Sequence, residues 1–322
     1  MIKIAIFGIG GVGGYIGGQL AKHYKDSAEA EIYFIVRGEN ERQINLHGLK
    51  LETTKGDFIA YPKLATSDAS RIGIVDLLIC CIKGYDIKRN MEQVRACVGT
   101  NTVFLPLLNG MNGMDAIQKE FPDNPVWGGC IYLVSKLEEP GFIKETGGLE
   151  QLYFGSSLSE PNKLMEIEKV FKEAEIKADI SFEITRVMWE KFVFISAFAT
   201  ITSYYDTNVG SILCDSKKKA SLMKLFEEIV RLAEASHISL PKEIVLKAFD
   251  KLSLLPPSST SSMHLDFTKA RSTELESLTG YVVELAKQIG IKTPVYNEMY
   301  AALKLRIADS VVNSGNNLHL RV

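Results

Sequence analysis

Ile2-Lys3-Ile4-Ala5-Ile6-Phe7-Gly8-Ile9-Gly10-Gly11-Val12-Gly13 stands at the head of the chain, and its reading decides the fold. IKIAIF has the β-branched and aromatic make-up of a buried strand. The glycines behind it fit the G-x-G-x-x-G spacing of a dinucleotide-binding turn. In that pattern Gly8 makes the tight turn, Gly10 lets the backbone approach a pyrophosphate, and Gly13 lets the next helix lie close to the strand. Residues 15–24 read as that helix, whose free amides and positive dipole end suit phosphates. Gly8, Ile9, Gly10, Gly11, Val12 and Gly13 are therefore the candidate cofactor-binding turn. A glycine-rich turn with no ligand is the bland alternative.

The second strand, residues 31–36, selects the dinucleotide. An NAD site usually ends this strand with an acid that accepts from the ribose 2′-hydroxyl. Here the strand runs into Arg37-Gly38-Glu39. An arginine can fork onto a 2′-phosphate and stack on adenine, so Arg37 favours NADP(H). Glu39, two residues on, keeps NAD in play, and an ordinary solvated arginine is the other reading.

Further candidate strands at residues 2–7, 75–82, 102–107 and 126–134 alternate with amphipathic stretches, which predicts a doubly wound parallel sheet of the Rossmann type. Beyond about residue 180 the strand signal fades. Leu275, Leu278, Val282, Leu285 and Ile289 recur at steps of three and four, and Gly290 follows as a cap, so one helix is expected there. The expected organisation is an α/β domain over residues 1–182 and an all-α substrate or catalytic domain over 183–322.

Composition narrows the function. The 322 residues are 46% hydrophobic and 24% charged, which excludes a disordered chain. Lys+Arg total 37 against 39 Asp+Glu, so no whole-chain attraction to nucleic acid or an anionic membrane is expected. Five cysteines, two of them adjacent in LLICCI, read as reduced thiols in a cytoplasmic protein. The N-terminal run has no basic region ahead of an apolar segment, and is not read as a signal peptide. The uncharged stretch 192–205 is too short to span a bilayer at about 20 residues per crossing. The five histidines are dispersed and call for no metal, and His264 reads as an exposed loop histidine. The apolar helices of the second half suit either a monomer or a homodimer.

Four further islands carry a resemblance. They are Ile82-Lys83-Gly84-Tyr85, Leu108-Asn109-Gly110-Met111, Trp189-Glu190-Lys191-Phe192, and Ser261-Ser262-Met263 with Thr273-Glu274-Leu275 downstream. Their order and spacing resemble the ketopantoate reductases (2-dehydropantoate 2-reductases) over nearly the whole chain, and Ile289-Gly290-Ile291-Lys292-Thr293-Pro294 resembles that family's C-terminal helix junction. The resemblance implies NADPH-dependent reduction of ketopantoate to (R)-pantoate in pantothenate biosynthesis. A related reductase of another small 2-keto acid, or an NADPH-binding regulator without turnover, are the alternatives; the survival of both Lys191 and Glu274 favours an enzyme.

The chemistry assigns the tasks. Hydride delivered to a ketone carbon leaves an alkoxide that needs a proton donor. Lys191 is the candidate, since Glu190 and Lys191 are the only charged residues between Val187 and Tyr205 on this hydrophobic helix, and a lysine at the helix's exposed start beside Glu190 is the alternative. The resemblance makes Lys191 the general acid, has Glu274 fix it and touch the substrate, and has Ser262 hold the substrate's polar end. On pattern alone Ser262 is a loop or N-cap serine, and Glu274 a first-turn glutamate behind a capping Thr273. Lys83 and Asn109 follow predicted strands at the edge where open sheets bind ligands, and could reach cofactor phosphate, ribose or a substrate carboxylate. A strand-end cation and a turn-forming Asn are the alternatives.

The pattern also departs from the family. Asparagines expected four and eight residues after the lysine are Ile195 and Ala199, and the one expected before Gly210 is Val209, with Asn208 displaced by one. Ser196 and Thr200 stand one step away, about 100° round the helix, where they could substitute only partly. Either the alignment slips or the substrate differs.

Overall fold

The computed structural model describes residues 1–84, 87–147, 149–156 and 161–318, with backbone only at 88 and 309–318. The chain forms two units. The first comprises Met1–Leu108 with Asn112–Met188, and the second Asn109–Met111 with Trp189 onward.

Five strands build the central sheet of the first unit: β1 Ile2–Phe7, β2 Ala30–Ile35, β5 Leu64–Thr66, β6 Val75–Cys80 and β7 Val98–Pro106. Their order is β5-β2-β1-β6-β7, and every pairing is parallel. The strand order reverses at β1, which creates a crevice at the carboxyl ends of β1 and β6, the place where open sheets bind ligands. β1 needs apolar residues on both faces because helices cover both. Ile2, Ile4 and Ile6 enter one layer with Tyr15, Ile16 and Leu20, while Ala5 and Phe7 enter the other with Met91 and Val94. The helices here are α1 Gly11–His23, α2 Gly38–His47, α3 Ile87–Asn90, α4 Gly113–Glu120 and α5 Pro161–Glu173.

Two smaller sheets complete this unit. One runs β4-β3-β10-β9, from β3 Leu49–Glu52, β4 Phe58–Ala60, β9 Ser135–Glu139 and β10 Phe142–Glu145; the other runs β12-β11-β8, from β8 Gly128–Tyr132, β11 Gln151–Gly155 and β12 Ala178–Ile180. The strand expected at residues 126–134 is thereby corrected. Only Val126 bridges the parallel sheet, at Phe104, and β8 then pairs antiparallel with β11. Gly129 passes so close to the Pro106 carbonyl that a side chain there would collide with it.

Among the described residues no strand follows Ile180, and the second unit is helical. Its helices are α6 Ile184–Tyr204, α7 Val209–Cys214, α8 Ser216–Ala235, α9 Ile244–Ser253, α10 Ser262–Thr268, α11 Tyr281–Ile289 and α12 Pro294–Leu318. Phe192, Val193, Ala197 and Ile201 of α6 sit in its core with Leu225, Phe226 and Ile229 of α8. The helix expected across 275–289 holds a π-helical turn at Glu276–Gly280 before α11. Its end is as the pattern implies: Gly290 is left-handed at φ 76, and the Ile291 N–H donates to the Ala286 carbonyl. α12 starts on a buried carboxylate: both Glu228 oxygens accept, from the Val295 and Tyr296 N–H groups, each at 3.0 Å. Among the described residues no helix is long and apolar enough to cross a membrane.

Candidate active site

Phe7, Gly8, Ile9, Gly10, Arg37 and Lys83 line one pocket of about 440 Å³ in the first unit, together with Asn40, Ser67, Cys81 and Gln93. A volume of that order suits a ligand pocket. Gly8 sits at φ 95, a conformation that side chains resist, and its N–H donates to the Ile35 carbonyl at 3.1 Å. A Cβ on Gly13 would strike the Gly8 carbonyl oxygen, so α1 approaches the turn as closely as the dinucleotide pattern requires. No side chain caps α1 at Gly10, and an added Cβ there would meet nothing within 4 Å. Gly11 and Val12 form the first helical turn. Bare backbone facing an open pocket is what a pyrophosphate needs, so these residues fit a dinucleotide.

Arg37 lies in extended backbone immediately before α2, exposed at the rim. Its competitor Glu39 is engaged elsewhere. Arg42 donates to the Glu39 carboxylate at 2.5 and 2.8 Å, and Gln43 at 2.8 Å, which holds that carboxyl down at about 2. A carboxylate committed to its own helix offers little to a ribose hydroxyl.

Asn40 is a residue the sequence did not single out. Its Nδ2 donates to the Ile9 carbonyl at 2.9 Å, and its Oδ1 accepts from the Gly141 N–H, in the turn between β9 and β10, at 2.7 Å. It thus braces the glycine turn against the second sheet. A polar first-turn residue three positions after Arg37 was the available signal. At about 1 kcal/mol per hydrogen bond, Asn40→Ala is expected to raise the dissociation constant of the bound dinucleotide by roughly tenfold, measurable by fluorescence titration. An unchanged constant would show that the turn holds its shape without the brace.

In the second unit the structure brings Lys191 and Asn109 together: Lys191 Nζ donates to Asn109 Oδ1 at 3.1 Å across 82 residues of sequence. Lys191 is half-buried and Asn109 exposed. Asn109 is therefore with the lysine and is not among the residues that line the pocket of about 440 Å³ in the first unit. Glu274 is 4% exposed and lies just before the π-helical turn, its carbonyl accepting from the Leu278 N–H. Thr273 Oγ1 does accept from the Leu275 N–H, at 3.4 Å. Ser262 is the exposed first residue of α10, and the cap is Ser261, whose buried Oγ accepts from the His264 N–H at 3.1 Å and pairs with Thr202 Oγ1 at 2.7 Å. Ser261 thereby ties the start of α10 to α6.

His264 is not an exposed loop histidine. It sits in the first turn of α10, 9% exposed, with Nε2 2.7 Å from Asp206 Oδ1 and Nδ1 2.7 Å from Thr260 Oγ1. The hydrogen bond from His264 holds the Asp206 carboxyl below its ordinary value. Asp206 is 58 residues away in the chain, so no local pattern could have paired them. Tyr85 and His319 lie outside the described residues. Among those described, no group of three or more His, Cys, Asp or Glu residues could hold a metal ion.

Residues 4–158 match the family described as ketopantoate reductase PanE/ApbA, and residues 183–307 match that family's C-terminal part. The chain belongs to the ketopantoate reductase family. It is 28% identical over 309 residues to an uncharacterized oxidoreductase, YkpB, of Bacillus subtilis strain 168, covering 96% of this chain and 100% of that one. A solved 2-dehydropantoate 2-reductase from Porphyromonas gingivalis W83 is 34% identical, with a TM-score of 0.82, over 94% of this chain and 99% of that one. The fold is shared more widely: D-mandelate dehydrogenase, solved with NADH and anilino(oxo)acetate, is 21% identical with a TM-score of 0.84, over 96% of this chain and 99% of that one. These ketopantoate reductase relatives make the chain a member of an NAD(P)-dependent oxidoreductase family.

Proposed function

We propose that this protein is an NADPH-dependent reductase that converts a small 2-oxo acid to the 2-hydroxy acid, with ketopantoate as the acceptor the family membership favours. The observation that carries the reading is Lys191, whose ammonium donates to Asn109 from a helix that carries no other charge after Glu190. NADPH, when bound, would supply the hydride. The glycine turn would bind its pyrophosphate, and Arg37 its 2′-phosphate. Lys191 would hold a proton for the carbonyl oxygen, so that the alkoxide is neutralised as it forms. Glu274, buried in the same unit, would orient the lysine, and Ser262 at the exposed start of α10 would bind the polar end of the acid.

The test is NADPH consumption at 340 nm with a panel of 2-oxo acids. Turnover of at least one is expected, whereas tight NADPH binding with no turnover would replace the reductase with a nucleotide sensor. The NADPH assignment has its own check. Arg37→Asp is expected to weaken NADPH by about 10–100-fold, since it removes a charge-assisted bidentate contact and adds a repulsive charge, and to leave NADH within about threefold. Equal losses for both cofactors would remove Arg37 from the 2′-phosphate. A second reading, an acid other than ketopantoate, is favoured by one observation: Ile195, Ala199 and Val209 stand where family asparagines are expected.

A further inference from the structure

We infer that the acid preferred by this protein carries an apolar side chain with no hydroxyl, a reading that rests on the 2-oxo acid reductase assignment and takes the second of its two acceptors, an acid other than ketopantoate. The argument lies along one face of α6. Lys191, Ile195 and Ala199 are spaced by four residues and share that face, about one turn apart. Ile195 is half-buried at the rim of the helical core, as is Met111, two residues from the Asn109 that holds Lys191. Beyond its ammonium, the accessible part of the face that starts at Lys191 is therefore the hydrocarbon of Ile195, with Ala199 buried in the core behind it.

The neighbouring hydroxyls offer no substitute. Ser196 is fully buried, donates to the Leu278 carbonyl at 3.0 Å and pairs with the Tyr296 hydroxyl at 2.9 Å. Thr200 is fully buried against Thr279 Oγ1 at 2.8 Å. Thr202, also fully buried, donates to the Phe198 carbonyl at 2.7 Å and pairs with Ser261. These hydroxyls turn into the core, and Ile195 is the half-buried residue that follows Lys191 on its own face. Asn208 Oδ1 accepts from the Ser211 N–H at 3.0 Å as the cap of α7. Val209, next to it, is completely buried.

The reaction stays balanced whatever the side chain. The carbonyl carbon gains a C–H bond from the hydride of NADPH, the C=O π pair moves to oxygen, and that oxygen takes the Lys191 proton. NADPH is oxidised, the 2-oxo acid is reduced to the 2-hydroxy acid, and solvent returns a proton to the lysine. Selectivity lies beyond the carbonyl, where a hydroxyl placed against Ile195 would lose its water and gain no partner from that side chain.

Ketopantoate and 3,3-dimethyl-2-oxobutanoate differ by one hydroxyl, so the ratio of their kcat/KM values with saturating NADPH reads this contact alone. The deoxy acid is expected to be preferred by about 10–100-fold, the range an apolar pocket achieves against an added hydroxyl. Equal values, or a preference for ketopantoate, would overturn the inference while leaving the reductase reading intact. Turnover of no acid in the panel by protein that binds NADPH would reject the reductase reading itself, and this inference with it. Ile195→Asn is expected to move the ratio toward ketopantoate by about tenfold. An unmoved ratio in a variant with native circular dichroism and NADPH affinity would take Ile195 out of the pocket. If that variant fails to fold, the wild-type ratio decides alone.

Discussion

Lys191→Ala is expected to lower kcat/KM for 2-oxo acid reduction by about 10²–10⁴-fold, roughly 3–5 kcal/mol of transition-state stabilisation. The lysine is proposed as the donor to the oxygen on which charge develops, and Asn109, its hydrogen-bond partner, is an amide that does not donate a proton readily. The dissociation constant for NADPH should stay within about twofold, because the glycine turn, Arg37 and Lys83 line a pocket to which Lys191 does not belong. A combined kinetic and binding measurement thus separates loss of chemistry from loss of cofactor. An alanine variant with wild-type kcat would remove Lys191 from the mechanism. Lys191→Arg should recover little, since a guanidinium keeps its proton far more tightly than an ammonium.

The largest expected loss of stability belongs to Glu228→Leu. Both oxygens of this 2%-exposed carboxylate accept backbone N–H groups at the start of α12, and one of them belongs to Tyr296, whose hydroxyl anchors Ser196 of α6. Leucine leaves one buried and one partly buried donor without partners at about 1–3 kcal/mol each, so a destabilisation of about 2–6 kcal/mol is expected. Glu228→Gln keeps one acceptor and should cost about half as much. Thermal unfolding should show the helical unit melting several degrees earlier with NADPH affinity preserved. An unchanged melting temperature in the leucine variant would mean that water or a shifted α12 satisfies those amides.

How far the sequence could be read depended on how local each cause was. β1 and its glycine turn are legible because burial on both faces and a steric need for glycine leave their mark within a dozen residues. The 126–134 run carried an equally apolar signal, yet periodicity cannot name a strand's partner, and β8 pairs antiparallel with β11 in another sheet. β5 is only Leu64–Thr66, too short for any alternating pattern to register. The site divides in the same way. Arg37 follows directly from its position after β2, whereas the bracing role of Asn40 depends on Gly141, 101 residues on. His264 was misread because its ring bonds are set by Asp206 and by a helix start that the Pro-Ser-Thr-rich run 256–262 conceals. The helical rotation that separates Ser196 and Thr200 from Lys191 could be read from spacing, but their commitment to Tyr296 and Thr279 could not.

Asn109–Met111 belongs with a unit whose remaining residues begin at Trp189. Any recombination event that joins two homologous genes between codons 112 and 188 therefore draws Asn109 from one parent and Lys191 from the other. Chimeras spliced at the apparent seam near residue 182 would inherit a mismatched amide–lysine pair whenever the parents diverge around residues 109–111. The exchangeable module here is not a continuous stretch of gene, and a shuffled library would recover function most often when those three codons travel with the helical half.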